Sequence, residues 1–249
     1  MSGHSKWANI KHRKGAQDAR KGALFSKLAR IVEIAAKEGA DPETNFKLKL
    51  AIEKARAANV PSNNIEKAIR KGAGLDKEKS QLIAVTYEGF GPGGTALVVE
   101  ALTDNRNRTS AEIKHLFSQF GGNLASPGAV GWQFRPAGKI VVDKIKGREE
   151  ELALKAIEAG ASDIQDEKDL LVVYTDPKRV MSVSGELKKA NLPVRESSIT
   201  LLAQNEVRVG EKAEAQRLLK LMEVLEEHPD VQEVFSNFDI PDSLLEELT

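Results

Sequence analysis

Residues 139–202, KIVVDKIKGREEELALKAIEAGASDIQDEKDLLVVYTDPKRVMSVSGELKKANLPVRESSITLL, decide the fold. Short apolar runs and helical-period runs alternate along it, and glycine, proline and asparagine mark the breaks. The pattern predicts strand Lys139–Asp143, helix Arg148–Ala159, strands Asp163–Gln165 and Leu170–Thr175, helix Pro177–Ala190 and strand Val194–Leu202. That order is βαββαβ, a ferredoxin-like unit complete in itself.

On either side the elements are incomplete. Residues 80–136 predict strands Leu82–Glu88 and Thr95–Leu102, a helix from Thr109 to about Phe120 with Thr109 and Glu112 as a capping box, and a third strand around Val130–Arg135. After residue 205 come a helix Glu211–Glu227 and a strand Val231–Phe238, a pair that cannot bury its apolar face alone. Returning that pair to the sheet of residues 80–136 makes the ferredoxin-like unit an insertion. The Gly89–Gly94 segment GFGPGG matches G-x-G-x-x-G literally, but a strand follows it where a dinucleotide site needs a helix, so it reads as a hairpin loop.

Residues 1–75 read differently. A helix is expected from Asp18 to Lys37, a second from an Asp41 cap with Pro42 in its first turn to about Ala58, and a third that starts at an Asn63–Glu66 capping box and ends at Gly72. The expected fold class is therefore an α+β multidomain protein. An N-terminal three-helix domain is followed by two α/β-sandwich domains with antiparallel or mixed sheets, the second ferredoxin-like and inserted in the first. The expected boundaries are 1–75, 80–136 plus 206–249, and 137–205.

Charge is segregated along this order. The whole chain of 249 residues balances 37 basic against 37 acidic side chains. Residues 1–74 hold 16 basic and 7 acidic, net +9, which leaves 21 and 30, net −9, for residues 75–249. A basic head on an acidic body turns the head toward a polyanion and the body away from it. The opening stretch MSGHSKWANIKHRKGAQDARKGALFSKLAR is the most basic, and up to Gln17 it has too little apolar content to pack a core. The expected nucleic-acid contacts are Lys6, Lys11, Arg13, Lys14, Arg20, Lys21 and Lys27 to phosphates, Trp7 by stacking, and His4, Asn9 and His12 by shorter polar contacts. Arg106 and Arg108 sit near a helix N-terminus and form a candidate phosphate site, the alternative being pairing with carboxylates such as Asp104.

Other readings of the basic arm are a solvated tail and a transit peptide. Lysine outnumbers arginine and no amphipathic period precedes Gln17, which argues against the second. No apolar stretch is long enough to cross a bilayer, so no membrane partner is expected and the expected location is the cytoplasm. The chain lacks cysteine, has four scattered histidines and contains no H-E-x-x-H, G-x-S-x-G or Walker sequence. No enzyme activity, cofactor or metal is expected. Oligomeric state is left open, with a monomer as the working expectation.

Five segments in order, the opening thirty residues, AANVPSNNIEKAIRKG, YEGFGPGG, LTDNRNRT and FGGNLASPGAVGWQF, resemble the YebC family, which includes the mitochondrial translational activator of cytochrome c oxidase. The resemblance spans the chain and implies a helical N-terminal domain with two α/β domains, one inserted in the other. It also implies a regulator of gene expression: a transcriptional regulator binding DNA or, alternatively, a translation factor binding ribosomal RNA. A third class is a protein-interaction scaffold that uses the acidic α/β body. The local departure is Ser62-Asn63 after Pro61, where family members often carry a basic and then an acidic residue.

Overall fold

The computed structural model describes residues 18–76, 81–145, 147–167 and 169–248. The head holds α1 (Asp18–Ala36), α2 (Phe46–Ala57) and α3 (Ser62–Gly72). Leu28, Val32, Leu48, Ile52, Ala55 and Ile65 are buried between them. Gly72 permits the α1–α3 crossing, because a Cβ there would lie 2.0 Å from the Glu33 carbonyl oxygen.

Both expected caps of the later head helices are displaced. Asn45, not Asp41, caps α2: its Oδ1 accepts from Leu48 N at 3.1 Å. Its Nδ2 donates to the carbonyls of Ala35 and Gly39 at 2.8 and 2.7 Å, so one buried amide ends α1 and starts α2. Asp41 instead accepts from Glu43 N in the turn before. At α3 the cap residue is Pro61, without a side-chain hydrogen bond, and Asn63 lies inside the first turn rather than at a cap.

The body begins with β1 (Ile83–Phe90) and β2 (Ala96–Thr103), an antiparallel hairpin across Gly91–Thr95. There follow α4 (Arg106–Gln119), β3 (Asn123–Ala125) and β4 (Phe134–Asp143). The inserted unit continues as α5 (Glu149–Glu158), β5 (Asp163–Asp166), β6 (Leu170–Thr175), α6 (Val180–Lys189) and β7 (Val194–Ala203). The chain ends with β8 (Val207–Arg208), α7 (Lys212–Glu227), β9 (Val231–Ser236), β10 (Phe238–Asp239) and α8 (Asp242–Leu248).

Two four-stranded sheets result, in orders β3-β1-β2-β9 and β5-β6-β4-β7. The late strand β9 pairs antiparallel with β2, so the terminal αβ pair does close the first sheet around an inserted ferredoxin-like unit. Helices α4 and α7 cover one face of that sheet, with Ile113, Phe117, Leu218, Leu221, Met222 and Leu225 packed on Leu97, Val99 and Val234. The opposite face packs Val98 and Phe235 against Phe134 and, more peripherally, Leu201 at the ends of β4 and β7.

Two strands differ from expectation. The stretch from Val130 is not a third strand of the first sheet: Gly131–Gln133 is a 3-10 turn, and Phe134 and Arg135 already pair with Ala203 and Leu202 in the second sheet. The N–H groups that a ladder would use are taken by Glu88, whose carboxylate accepts from Gly128, Val130 and Gly131 at 2.7, 2.8 and 2.6 Å. The last strand divides at Asn237, where its buried side chain accepts from Ala96 N at 2.7 Å and donates to Gln133 Oε1 at 3.0 Å. Beyond it, β10 turns to pair in parallel with β8.

Candidate nucleic-acid interface

His4, Lys6, Trp7, Asn9, Lys11, His12, Arg13 and Lys14 lie outside the described residues, as does most of the basic arm. Arg20 and Lys21 fall in the first turns of α1. From there the cations divide by the direction they face. Lys27 turns toward the body, with its ammonium donating to the main-chain carbonyl of Glu226. Lys37 donates to Leu82 O at 2.7 Å, across the head–body junction.

Arg30 reaches the strongest anchor. Its guanidinium donates to Asp230 Oδ1 at 2.8 Å and to Pro229 O at 3.1 Å. Asp230 is 2% exposed and receives two further donors on Oδ2: Arg108 at 2.7 Å and Thr109 Oγ1 at 2.7 Å. Burial works to raise this carboxyl, but the Thr109, Arg108 and Arg30 donors outweigh it and hold it at about 2. A buried carboxylate with this many donors is a clasp. It joins α1 of the head, the start of α4 and the loop before β9.

Arg108 takes part in this clasp. The residue also lies 3.2 Å from Asp104 and 3.9 Å from Glu112, and hydrogen bonding to Asp230 raises its pKa further. Arg106 and Arg108 sit inside the first turn of α4, which is capped by Asn105 accepting from Arg108 N at 3.1 Å. Thr109 is directed inward instead of capping, and Glu112 meets His228 Nε2 at 2.9 Å. His228 Nδ1 accepts from Asp230 N at 3.1 Å, which assigns the ring proton to Nε2. Glu112, His228 and Asp230 offer ligand atoms within 4.8 Å of one another, but the two arginines on Asp230 oppose a cation there. Arg106 is exposed and makes no ion pair among the described residues.

Other head cations pair locally: Lys47 with Glu38 at 2.6 Å, Lys49 with Glu43 at 3.1 Å, Arg70 with Asp76 at 3.1 Å and Lys71 with Glu33 at 3.4 Å. Arg56 on α2 and Lys67 on α3 are exposed without an ion-pair partner among the described residues. Solvated charge on an amphipathic helix looks the same in sequence whether it is paired or free. That is why Arg56 and Lys67 do not stand out from their neighbours, and why Asp230, one acid among thirty in the body, does not announce the clasp.

A second junction lies where all three parts meet. A cavity of about 470 Å³ is bounded by Ile31 and Leu50 of the head, Thr86, Glu100 and Glu233 of the first sheet, and Ser197 and Ile199 of β7. Glu100 and Glu233 are cross-strand partners. Burial and the Glu233 charge push Glu100 up to about 7, with Lys54 offsetting part of the effect. Lys54 is raised in turn by Glu233, against burial, and by Glu196, which stands 3.5 Å away.

A small basic helical bundle clasped to an acidic two-sheet body with an inserted ferredoxin-like unit defines the class of this molecule. The chain belongs to the TACO1/YebC family: residues 5–75 match the model of the TACO1/YebC protein N-terminal domain, and residues 82–238 match that of the TACO1/YebC second and third domain. It is 48% identical over 252 residues to a protein of Halothermothrix orenii, covering 100% of this chain and 99% of that one. It is 49% identical over 251 residues to a protein of Dictyoglomus turgidum, covering 100% of both. Each of those relatives bears the name "Probable transcriptional regulatory protein". The crystal structure of a conserved hypothetical protein from Aquifex aeolicus superposes with a TM-score of 0.88 at 44% identity, covering 95% of this chain and 98% of that one. No helix among the described residues is long and apolar enough to cross a membrane.

Proposed function

We propose that this chain is a non-enzymatic regulator of gene expression that binds DNA through its basic N-terminal unit, residues 1–75, while residues 80–136 with 206–249 and the inserted 137–205 set the geometry and offer protein contacts. The observation that carries this is the way the head's charge is divided. Lys27, Arg30 and Lys37 face the acidic body and are bonded to it. The arm cations Lys6, Lys11, Arg13 and Lys14, followed by Arg20 and Lys21, carry six positive charges with only Asp18 against them, and Arg56 and Lys67 add exposed cations on α2 and α3. Those charges suit a polyanion, and Trp7 among them suits a base. The names of the relatives support a role in transcription.

The alternative is ribosomal RNA as the target, with the chain acting in translation. It is favoured by one observation: the stretch before Gln17 carries its basic residues on a glycine-broken sequence with no helical period for a major groove. Crosslinking the intact protein in its host cells and sequencing the attached nucleic acid separates the two. Enrichment of promoter DNA supports the first and ribosomal RNA the second. Recovery of neither at levels above a variant lacking residues 1–20 would leave the scaffold class in its place.

A further inference from the structure

The loop between β3 and β4 holds an aromatic residue out of the protein. Trp132 is 69% exposed, the most exposed of the large apolar side chains among the described residues. Its position is fixed from several directions. Glu88 accepts the three N–H groups of Gly128, Val130 and Gly131, with burial of the carboxyl outweighed by those donors. Gln204 Nε2 donates to the Trp132 carbonyl at 2.8 Å, and Gln204 N donates to the carbonyl of the next residue, Gln133, at 2.8 Å. The Gln133 side chain is buried and accepts from Asn205 at 3.1 Å and from Asn237 at 3.0 Å. A scaffold this dense around an exposed indole costs polar groups and glycine freedom without burying the ring, which is the pattern of a contact surface.

The chemistry around the ring narrows the partner. The indole N–H donates to Ala129 O at 3.1 Å, so what it presents outward is its π surface. Gln204 and Asn205 are exposed, and each uses one amide N–H on the loop, which leaves a carbonyl oxygen and a second N–H on each. The charged residues nearest along the chain, Arg135, Glu206 and Arg208, are all exposed and of mixed sign. A planar ring flanked by two amides that can both donate and accept fits a nucleobase better than a phosphate. We propose that Trp132 is a stacking platform for an unpaired base, a second nucleic-acid contact separate from the basic head. It rests on the nucleic-acid reading above and places single-stranded or unpaired nucleotides against the body.

Trp7 and Trp132 are the two tryptophans of the chain, so a Trp7→Phe variant reports on Trp132 alone. This variant is titrated with a short oligouridylate and with a fully paired duplex of the same length, binding being followed separately by anisotropy of the labelled strand. The expected result is saturable quenching of Trp132 emission by the single strand, in step with anisotropy. In the wild-type background Trp132→Ala should weaken single-strand binding at least about fivefold, with Trp132→Phe restoring most of it and the salt slope unchanged, because the ring carries no charge. Binding without quenching, or Trp132→Ala within about twofold of wild type, overturns the stacking platform, leaves the head reading intact and turns the ring over to a protein partner. Absence of binding of the wild-type chain to either probe overturns both.

Discussion

Asp230→Asn is the perturbation that most directly probes how the head is held. The substitution keeps the shape and removes the charge that Arg30 and Arg108 share at 2.8 and 2.7 Å. A carboxyl held at about 2, against an ordinary value of 3.8, contributes about 2 kcal/mol to the folded state. Because the folded value is depressed, that contribution is whole above about pH 4 and is lost as the pH falls toward 2. At neutral pH the variant should lose about 2 kcal/mol, a fall in thermal midpoint of about 4–8 °C for a chain of this size. Scanning both proteins from pH 7 to pH 2 adds the discriminating test, since the wild type should approach the variant at the acid end. A variant as stable as wild type at pH 7, or a gap that persists at pH 2, would refute the assignment of Asp230 as an ionised clasp.

Three further substitutions test other joints. Gly72→Ala gains helix propensity but drives a Cβ to 2.0 Å from the Glu33 carbonyl oxygen; chemical denaturation should show a net loss of about 2 kcal/mol, and a gain would mean that α1 and α3 are free to separate. Glu100→Gln removes a carboxylate whose pKa is pushed up to about 7 beside Glu233. Because the folded value is raised, Glu100 costs stability that grows as the pH rises from about 4.5 and is complete above about 7, so the variant should be more stable at pH 8, by less than about 1 kcal/mol because the group still meets water, and should converge on wild type near pH 4. Glu88→Gln halves the acceptor set for Gly128, Val130 and Gly131 and should cost about 1–3 kcal/mol, with Trp132 emission in the Trp7→Phe background shifting as the loop loosens.

The topology was legible because its signals are local and repeated. Short continuous apolar runs in Lys139–Asp143 and Leu170–Thr175, and the orphan helix and strand after residue 205, leave few arrangements that bury every apolar face. The caps were less legible because a cap is a tertiary choice among several suitable residues. Asp41 and Asn45 both suit an N-cap, and Asn45 wins because its amide also reaches the carbonyls of Ala35 in α1 and of Gly39 just beyond it. Val130–Arg135 has strand composition, yet Glu88, some forty residues earlier, takes its N–H groups. In the candidate interface, Arg108 was readable only as one of two alternatives, since its decisive partner lies 122 residues away. Trp132 stands in the segment FGGNLASPGAVGWQF with no role visible in the sequence, because exposure is not written in composition.

The central claim is that the basic N-terminal unit binds nucleic acid through its phosphates, and the dependence of affinity on salt measures this most directly. With about six cations engaged, the slope of log affinity against log salt should be about −4 on a single strand and about −5 on a duplex. Replacing Lys11, Arg13 and Lys14 with glutamine should reduce the slope by about three charges' worth. A slope near zero, or one that these replacements leave unchanged, would contradict the account.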